Sequence, residues 1–242
     1  MYLDLIEEVL INSIYEDPGD DYFSGNTYDP ARREIGWDWP SMAHSMIGRR
    51  RMRNLRECVE TVLRDGVPGD IAETGVWRGG ASIYVRAILK AHQVFDRVVW
   101  AADSYKGLPP PDPDFYPADA GSIFHTYTQL AVSLAVVKKN FAKYGLLDDQ
   151  VRFLEGWFSE TLQQAPIERL AVLRLDGDLY ESTMDGLLAL YPKVSDGGFV
   201  IVDDYYLPPC RQAVHDYLDE VGHSASIDNI DGIGSFWRKR QA

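Results

Sequence analysis

Apolar positions along the chain recur with two different periods. Residues 2–15 place Leu3, Ile6, Val9, Leu10 and Ile14 at helical spacing, a stripe that ends at the breaker EDPGDD. Residues 16–40 mix Pro, Gly and Asp with Tyr22, Phe23, Tyr28, Trp37 and Trp39 and hold no sustained period. They read as an ordered aromatic arm or loop rather than a plain linker. A helix is expected from about Ser41 to Arg64, with Ile47, Leu55, Val59, Val62 and Leu63 available to a core. From residue 69 short apolar runs alternate with helical stretches. GDIAETGV, VVWAADS, VRFLEGWF, ERLAVLRLDGD and GGFVIVDDYY read as strands, with helices expected near 79–92, 126–144, 183–192 and 209–221. SASIDNID and GSFWRKR are placed to close the sheet as a final antiparallel pair. The alternation predicts an α/β fold with a doubly wound, mostly parallel sheet of seven strands. Residues 1–40 form an N-terminal helix and arm, and 41–242 the main domain.

Composition narrows the partners. With 24 Lys+Arg against 37 Asp+Glu, the net charge of −13 disfavours nucleic acid and anionic membrane, both polyanions. No apolar run approaches the roughly 20 residues of a membrane helix. The N-terminus carries acids where a signal peptide is basic, and two cysteines make neither a disulfide framework nor a zinc pattern, so a reducing cytoplasm is expected. One basic cluster, Arg49, Arg50, Arg51 and Arg53, is read first as a solvated helix face; contacts to substrate, cofactor or a polyanion are the alternatives.

The chemistry is expected at the carboxyl ends of the strands, where open α/β sheets bind ligands. Four of those ends carry acids: Glu73, Asp103, the pair Asp176 and Asp178, and the pair Asp203 and Asp204. The turn ETGVWRGGAS has Gly75, Gly79 and Gly80 between strand and helix without the GxGxxG spacing of a dinucleotide site, which disfavours an NAD-dependent oxidoreductase. Such glycines let backbone approach a ligand and open a helix N-terminus to an anionic group, although a tight turn alone needs them too. An acid at Asp103 suits ribose hydroxyls. Asp176 and Asp178, two apart on an extended chain, lie roughly 6.5–7 Å apart on one side, which is costly unless a cation or proton is shared. With Asp203 and Asp204 on the neighbouring strand tip they compose a hard-cation site favouring Mg²⁺, the structural alternative being helix caps and a turn. Trp157 suits either adenine stacking or the core, and His44 and His215 are the histidines to follow. HExxH, GxSxG, phosphate-loop and CxxC motifs are absent.

DWPSMAHSMIGRRRMRNL, DIAETGVWRGGAS, DSYKGLP, GWFSETL, LRLDGDLYEST and FVIVDDY, in this order, strongly resemble the macrocin O-methyltransferase family, over almost the whole chain from about Tyr28 to Trp237. The resemblance implies a Rossmann-like class I methyltransferase that uses S-adenosylmethionine and Mg²⁺ to methylate a sugar hydroxyl of a macrolide- or aminocoumarin-type antibiotic. It implies Asp176, Asp203 and Asp204 as metal ligands and Asp178 as general base. Glu73, Thr74 and Gly75 match the cofactor turn, Asp103 and Ser104 the ribose side, Gly156 and Trp157 the adenine side. The segment around Ala43, Met46 and Ile47 matches a stretch that closes over the cofactor, and Met46 and Asp176 are counted among the cofactor-binding residues. The family implies a homodimer or higher homo-oligomer whose N-terminal regions help cover active sites, with the DPDFYPAD loop bearing on the acceptor. A catechol or phenol acceptor, and a non-catalytic relative that kept the cofactor turn, are the competing readings; the four clustered acids speak against the latter.

Overall fold

A computed structural model describes residues 1–20, 25–223 and 225–240. Tyr22 and Phe23 of the aromatic arm lie outside the described residues. The elements run α1 (Tyr2–Leu10), α2 (Pro30–Ile35), α3 (Gly48–Arg64), β1 (Asp70–Thr74), α4 (Gly80–Ala91), β2 (Val99–Asp103), α5 (Leu134–Lys143) and β3 (Val151–Glu155). They continue with α6 (Phe158–Thr161), β4 (Leu170–Leu175), α7 (Tyr180–Leu190), β5 (Val194–Val202), α8 (Pro208–Glu220), β6 (Asp228–Asn229) and β7 (Ser235–Arg238). The seven strands are ordered β3-β2-β1-β4-β5-β7-β6. The first five strands are parallel, and β7 runs antiparallel to both β5 and β6, as the terminal pair in the sequence suggests.

Helices cover both faces of the sheet, so the central strands are buried on both sides and read as continuous apolar runs. β4 is the clearest case: all six residues of LAVLRL are buried, including Arg174. One core cluster joins α1, α3 and α4 to the sheet through residues such as Leu10, Leu55, Val59 and Ile88. The other joins α7, α8 and β7 to the opposite face through Leu187, Val214 and Trp237. Chain direction across the sheet reverses between β1 and β4, which opens a crevice at their carboxyl ends.

Three helical expectations shift. The first helix stops at Leu10, four residues before Ile14, because Leu10 O accepts the amides of His44 and Ser45 at 3.0 Å each. The helix expected from Ser41 starts only at Gly48. The amides of residues 42–45 are taken by Asp17 and Leu10 instead, and Gly48 enters the helix with φ +74° against the backbone of Gly36. The long helix expected over 126–144 is confined to Leu134–Lys143. Two short 3₁₀ turns, Phe124–Thr126 and Thr128–Leu130, precede it and turn Phe124 and Leu130 into the crevice. The arm also contains a short helix, α2, carried by its caps rather than by periodicity. Asp29 accepts the amides of Ala31 and Arg32, Pro30 opens the helix and Gly36 closes it at φ +64°.

Candidate active site

Strand register gathers the acids. Thr74 is level with Ala102 and Leu175, and Leu175 is level with Val202. The next residues along these strands, Asp103, Asp176 and Asp203, therefore emerge at one edge of the sheet. Gly75 makes the β1 and β4 tips fit: a Cβ there would lie 1.7 Å from the Asp176 carbonyl oxygen, and its φ is +86°. Residues Thr74 and Gly156 do not line the crevice. Met46, Glu73, Gly75, Asp103, Ser104, Trp157, Asp176, Asp178, Asp203 and Asp204 do, around a cavity of about 710 Å³.

The acids are organised by an arginine that motif reading passed over. Arg174 is fully buried on β4 and its guanidinium donates to Glu73 at 2.7 Å, to Asp176 at 2.8 Å and to Asp203. Its signal in the sequence is a cation within AVLRL, two residues before Asp176 and so on the same side of the strand. Glu73 also accepts from the Ser82 hydroxyl, and burial pushes its carboxyl up to about 7 despite the nearby guanidinium. Asp203 is gripped from the other side by Arg51, whose second nitrogen donates to Ile35 O at 3.0 Å. Arg51 Nε also lies 3.2 Å from the buried Asp231. The basic cluster is thus a solvated face only in part. Arg50 and Arg53 are exposed, Arg53 pairing with Glu7 from the surface, whereas Arg51 is interior and Arg49 pairs with Glu7, Glu8 and Glu34.

Asp176, Asp178 and Asp204 offer oxygens that all lie within 4.8 Å of one another. Burial and mutual repulsion raise all three carboxyls, Asp178 to about 8, and Asp204 shares a hydrogen bond with Asp176. Asp204 Oδ2 is buried without a hydrogen-bond partner, and none of the described residues hydrogen-bonds the Asp178 carboxylate. Three converging carboxylates with unfilled acceptor capacity offer oxygens of the kind a hard divalent cation takes, and with Asp203 adjacent the cluster fits such an ion. Asp203 stands beside them, but each of its oxygens already accepts from an arginine. Asp178 itself adopts φ +59°, a left-handed conformation uncommon outside glycine, although Asp tolerates it better than most side chains.

The rest of the cavity suits a nucleoside. The first turn of α4 opens onto it at Gly80 and Ala81, and first-turn amides have no helical acceptor of their own. Asp103 is buried at the end of β2. Its Oδ2 accepts the Val76 amide at 2.6 Å and its Oδ1 accepts that of Tyr105 at 2.6 Å, and burial raises its carboxyl. Oδ2 also accepts the Trp77 amide at 3.3 Å, so the remaining acceptor capacity is on Oδ1, where the Ser104 hydroxyl lies only at 3.5 Å with its proton given to Gly107. The Ser104 hydroxyl donates to Gly107 O at 2.6 Å and shapes the turn into the proline-rich loop. Trp157 lines the cavity beside Phe158, so it belongs to the cavity wall rather than the core.

Residues 41–47 form the facing wall. Asp17 anchors them, and is itself held by Arg33, which donates to Asp17 at 2.9 Å and to Asp38 at 2.8 Å. Within this wall His44 pairs with the Tyr144 hydroxyl at 2.6 Å; burial, with the charges of Lys143 and Arg78, lowers it to about 4 and keeps it neutral. His215 is exposed on α8, bonded to Tyr205 at 2.8 Å, away from the cavity. Trp37 and Trp39 from the arm line the cavity mouth.

Comparison with known proteins agrees with this geometry. Residues 19–239 match the Macrocin-O-methyltransferase (TylF) family. A mycinamicin III 3″-O-methyltransferase from Micromonospora griseorubida is 53% identical, over 99% of this chain and 96% of its own. An 8-demethyl-8-(2,3-dimethoxy-alpha-L-rhamnosyl)-tetracenomycin-C 4′-O-methyltransferase from Streptomyces olivaceus is 54% identical, over 100% of this chain and 94% of its own. The solved structure of the O-methyltransferase NovP superposes with a TM-score of 0.95 at 52% identity, covering 99% of this chain and 98% of that one. The sheet and its crevice are those of class I S-adenosylmethionine-dependent methyltransferases, and the chain belongs to the macrocin O-methyltransferase family of O-methyltransferases.

Proposed function

We propose that the chain methylates a hydroxyl of a sugar borne by a natural product, with S-adenosylmethionine as donor and Mg²⁺ at the carboxylate cluster. The observation that carries this is the meeting of Asp176, Asp178 and Asp204 on the wall of a cavity whose other side suits a nucleoside. Two relatives of near-equal similarity act, by name, at a 3″ and a 4′ position, so overall identity does not select the hydroxyl.

When bound, the cofactor supplies an electrophilic methyl group and the metal lowers the pKa of a hydroxyl placed on it. Asp176, Asp203 and Asp204 are the proposed ligands, Asp203 through the lone pairs its arginines leave. Asp178, whose carboxylate accepts no hydrogen bond among the described residues, removes the proton of the acceptor hydroxyl. Arg174 and Arg51 hold the carboxylate frame against its own repulsion. Glu73 and Gly75 shape the cofactor turn, Asp103 and Ser104 receive the ribose, and Trp157 flanks the adenine, with Gly156 behind it only turning the chain at the end of β3. Met46 and its neighbours exclude water from the reacting groups. In the same reading residues 1–40 cover the site, consistent with Trp37 and Trp39 at its mouth. The exposed Tyr2, Leu5, Tyr15 and Met42 suit a homodimer or higher homo-oligomer. Cys58 and Cys210 are free and buried, which suits a reducing cytoplasm.

The test is calorimetric titration of S-adenosylhomocysteine with and without Mg²⁺, followed by methyl transfer to mycinamicin III, the tetracenomycin rhamnoside and a catechol. Binding near one per chain with turnover of a sugar acceptor is expected. Binding with turnover of the catechol alone would transfer the enzyme to phenolic acceptors.

A further inference from the structure

α7 begins two residues after Asp178, yet nothing in its own sequence caps it: Leu179 stands at the N-cap position and offers no side-chain acceptor. The cap comes from another part of the chain. Asp119, 1% exposed and lying in the short 3₁₀ turn Pro117–Asp119, accepts the Tyr180 amide at 2.7 Å on one oxygen and the Glu181 amide at 3.1 Å on the other. The rings of Tyr116 and Tyr180 meet at 6.1 Å beside it, and the Tyr180 hydroxyl reaches Asp216 of α8 at 3.1 Å.

This places the buried anion where it restrains the backbone that carries Asp178. Asp178 holds φ +59°, and the Leu179 amide closes a tight turn onto Gly177 O at 2.6 Å. Such a conformation persists only where the surroundings over-determine it. Upstream, the Asp176 amide is fixed to Thr74 O at 2.9 Å; downstream, the fixed points are the two amides on Asp119 and the helical bond from the Thr183 amide to Leu179 O at 3.0 Å. The loop that supplies Asp119 continues to Phe124 and Leu130 on the cavity wall.

Resting on the reading of Asp178 as the base, we propose that Asp119 is a positioning residue: it caps α7 from the loop between β2 and α5 and so holds Asp178 in its left-handed conformation, aimed into the cavity. An anion on the first amides of a helix is the favoured arrangement, and because the two amides use different Asp119 oxygens, asparagine, with a single acceptor oxygen, keeps only one of the bonds.

The experiment compares wild type with Asp119→Ala, Asp119→Asn and Asp178→Asn. Hydrogen exchange on the S-adenosylhomocysteine complex needs no acceptor. Asp119→Ala is expected to speed exchange at the amides of 180 and 181 at least tenfold, with cofactor-analogue affinity changed less than threefold. With mycinamicin III as probe acceptor, kcat is expected to fall 10- to 100-fold in Asp119→Ala and 3- to 10-fold in Asp119→Asn, at nearly constant KM. Unchanged exchange, unchanged kcat, or an effect confined to KM overturns the proposal, the last by leaving Asp119 a loop anchor only. Should the alanine variant not fold, Asp119→Asn decides by the same readouts. Where wild type does not turn over mycinamicin III, the exchange arm alone decides. An active Asp178→Asn enzyme would instead remove Asp178 from the base role, a failure distinguishable from a normal kcat in Asp119→Ala beside an inactive Asp178→Asn.

Discussion

Replacing Arg174 by methionine tests the electrostatic frame most directly. The guanidinium is fully buried and serves three carboxylates, at 2.7 Å for Glu73, 2.8 Å for Asp176 and a closer contact to Asp203. Methionine fills much of the volume, so the loss is chiefly of charge. Three charge-assisted hydrogen bonds represent about 5–9 kcal/mol gross, at about 1.5–3 kcal/mol each. Two features of the structure reduce this. Arg51 still neutralises Asp203, and the Glu73 carboxyl, already pushed up to about 7, sheds its charge at little cost. Removing one partner of a buried ionic group typically costs about 3–5 kcal/mol, and the lower half of that range is expected here. For a chain of this size that lowers Tm by roughly 6–16 °C at 2–4 °C per kcal/mol. Urea unfolding followed by tryptophan fluorescence gives the free energy. The double variant Glu73→Gln/Arg174→Met should be destabilised by at least about 1 kcal/mol less than the sum of the singles, because the second change removes a charge that the first left unpaired. A single-variant loss under about 1 kcal/mol, or strict additivity, would refute the view that Arg174 holds together an otherwise self-repelling cluster.

Further outcomes follow from the same geometry. Asp178→Asn is expected to lower kcat by at least about 10²-fold, the scale of general-base loss, with S-adenosylhomocysteine affinity within threefold by calorimetry. Exhaustive chelation should stop methyl transfer and added Mg²⁺ restore it; full activity in the chelated enzyme would remove the metal from the reaction. Gly75→Ala should fail to fold or lose more than about 3 kcal/mol in thermal unfolding, since its Cβ would fall 1.7 Å from the Asp176 carbonyl oxygen. Gly66→Ala has the same sign of φ and nothing within 4 Å, and should cost only about 1 kcal/mol. His44, lowered from 6.5 to about 4, is neutral in the fold and binds a proton more readily when unfolded. Its contribution to stability is therefore present above pH 6.5 and is lost as pH falls toward 4, up to about 3 kcal/mol at 1.36 kcal/mol per pKa unit. A His44→Gln variant should show a shallower loss of stability than wild type over that window in pH-dependent urea titrations.

What the chain discloses before folding depends on whether the cause is local. Period and strand composition show the inner strands β1, β2, β4 and β5 because burial on both faces demands apolar runs, and acids at the ends of such runs stand out against them; β3, at the sheet edge, is only partly buried. The same logic marks Arg174, a charge where the strand requires none, once the run is read as a central strand rather than as the lead-in to a motif. α2 is legible in its caps, Asp29, Pro30 and Gly36, although six residues are too few for a period. Residues 41–47 are different. Nothing in SMAHSMI forbids a helix; its amides are drawn away by Leu10 O and Asp17, acceptors 25 to 35 positions upstream. The arginine cluster misleads for a related reason. Whether Arg49 and Arg51 face water or an interior carboxylate is settled by Glu7, Glu8, Glu34, Asp203 and Asp231, none of which lies within one helical turn of them. Asp119 is the extreme case: its partners are amides 61 and 62 residues away, and amides carry no sequence signature. The residues that perform chemistry are thus visible as types at strand ends. Those that hold them are visible only where their partners are near in sequence, and the positioning residues of this site are mostly the second kind.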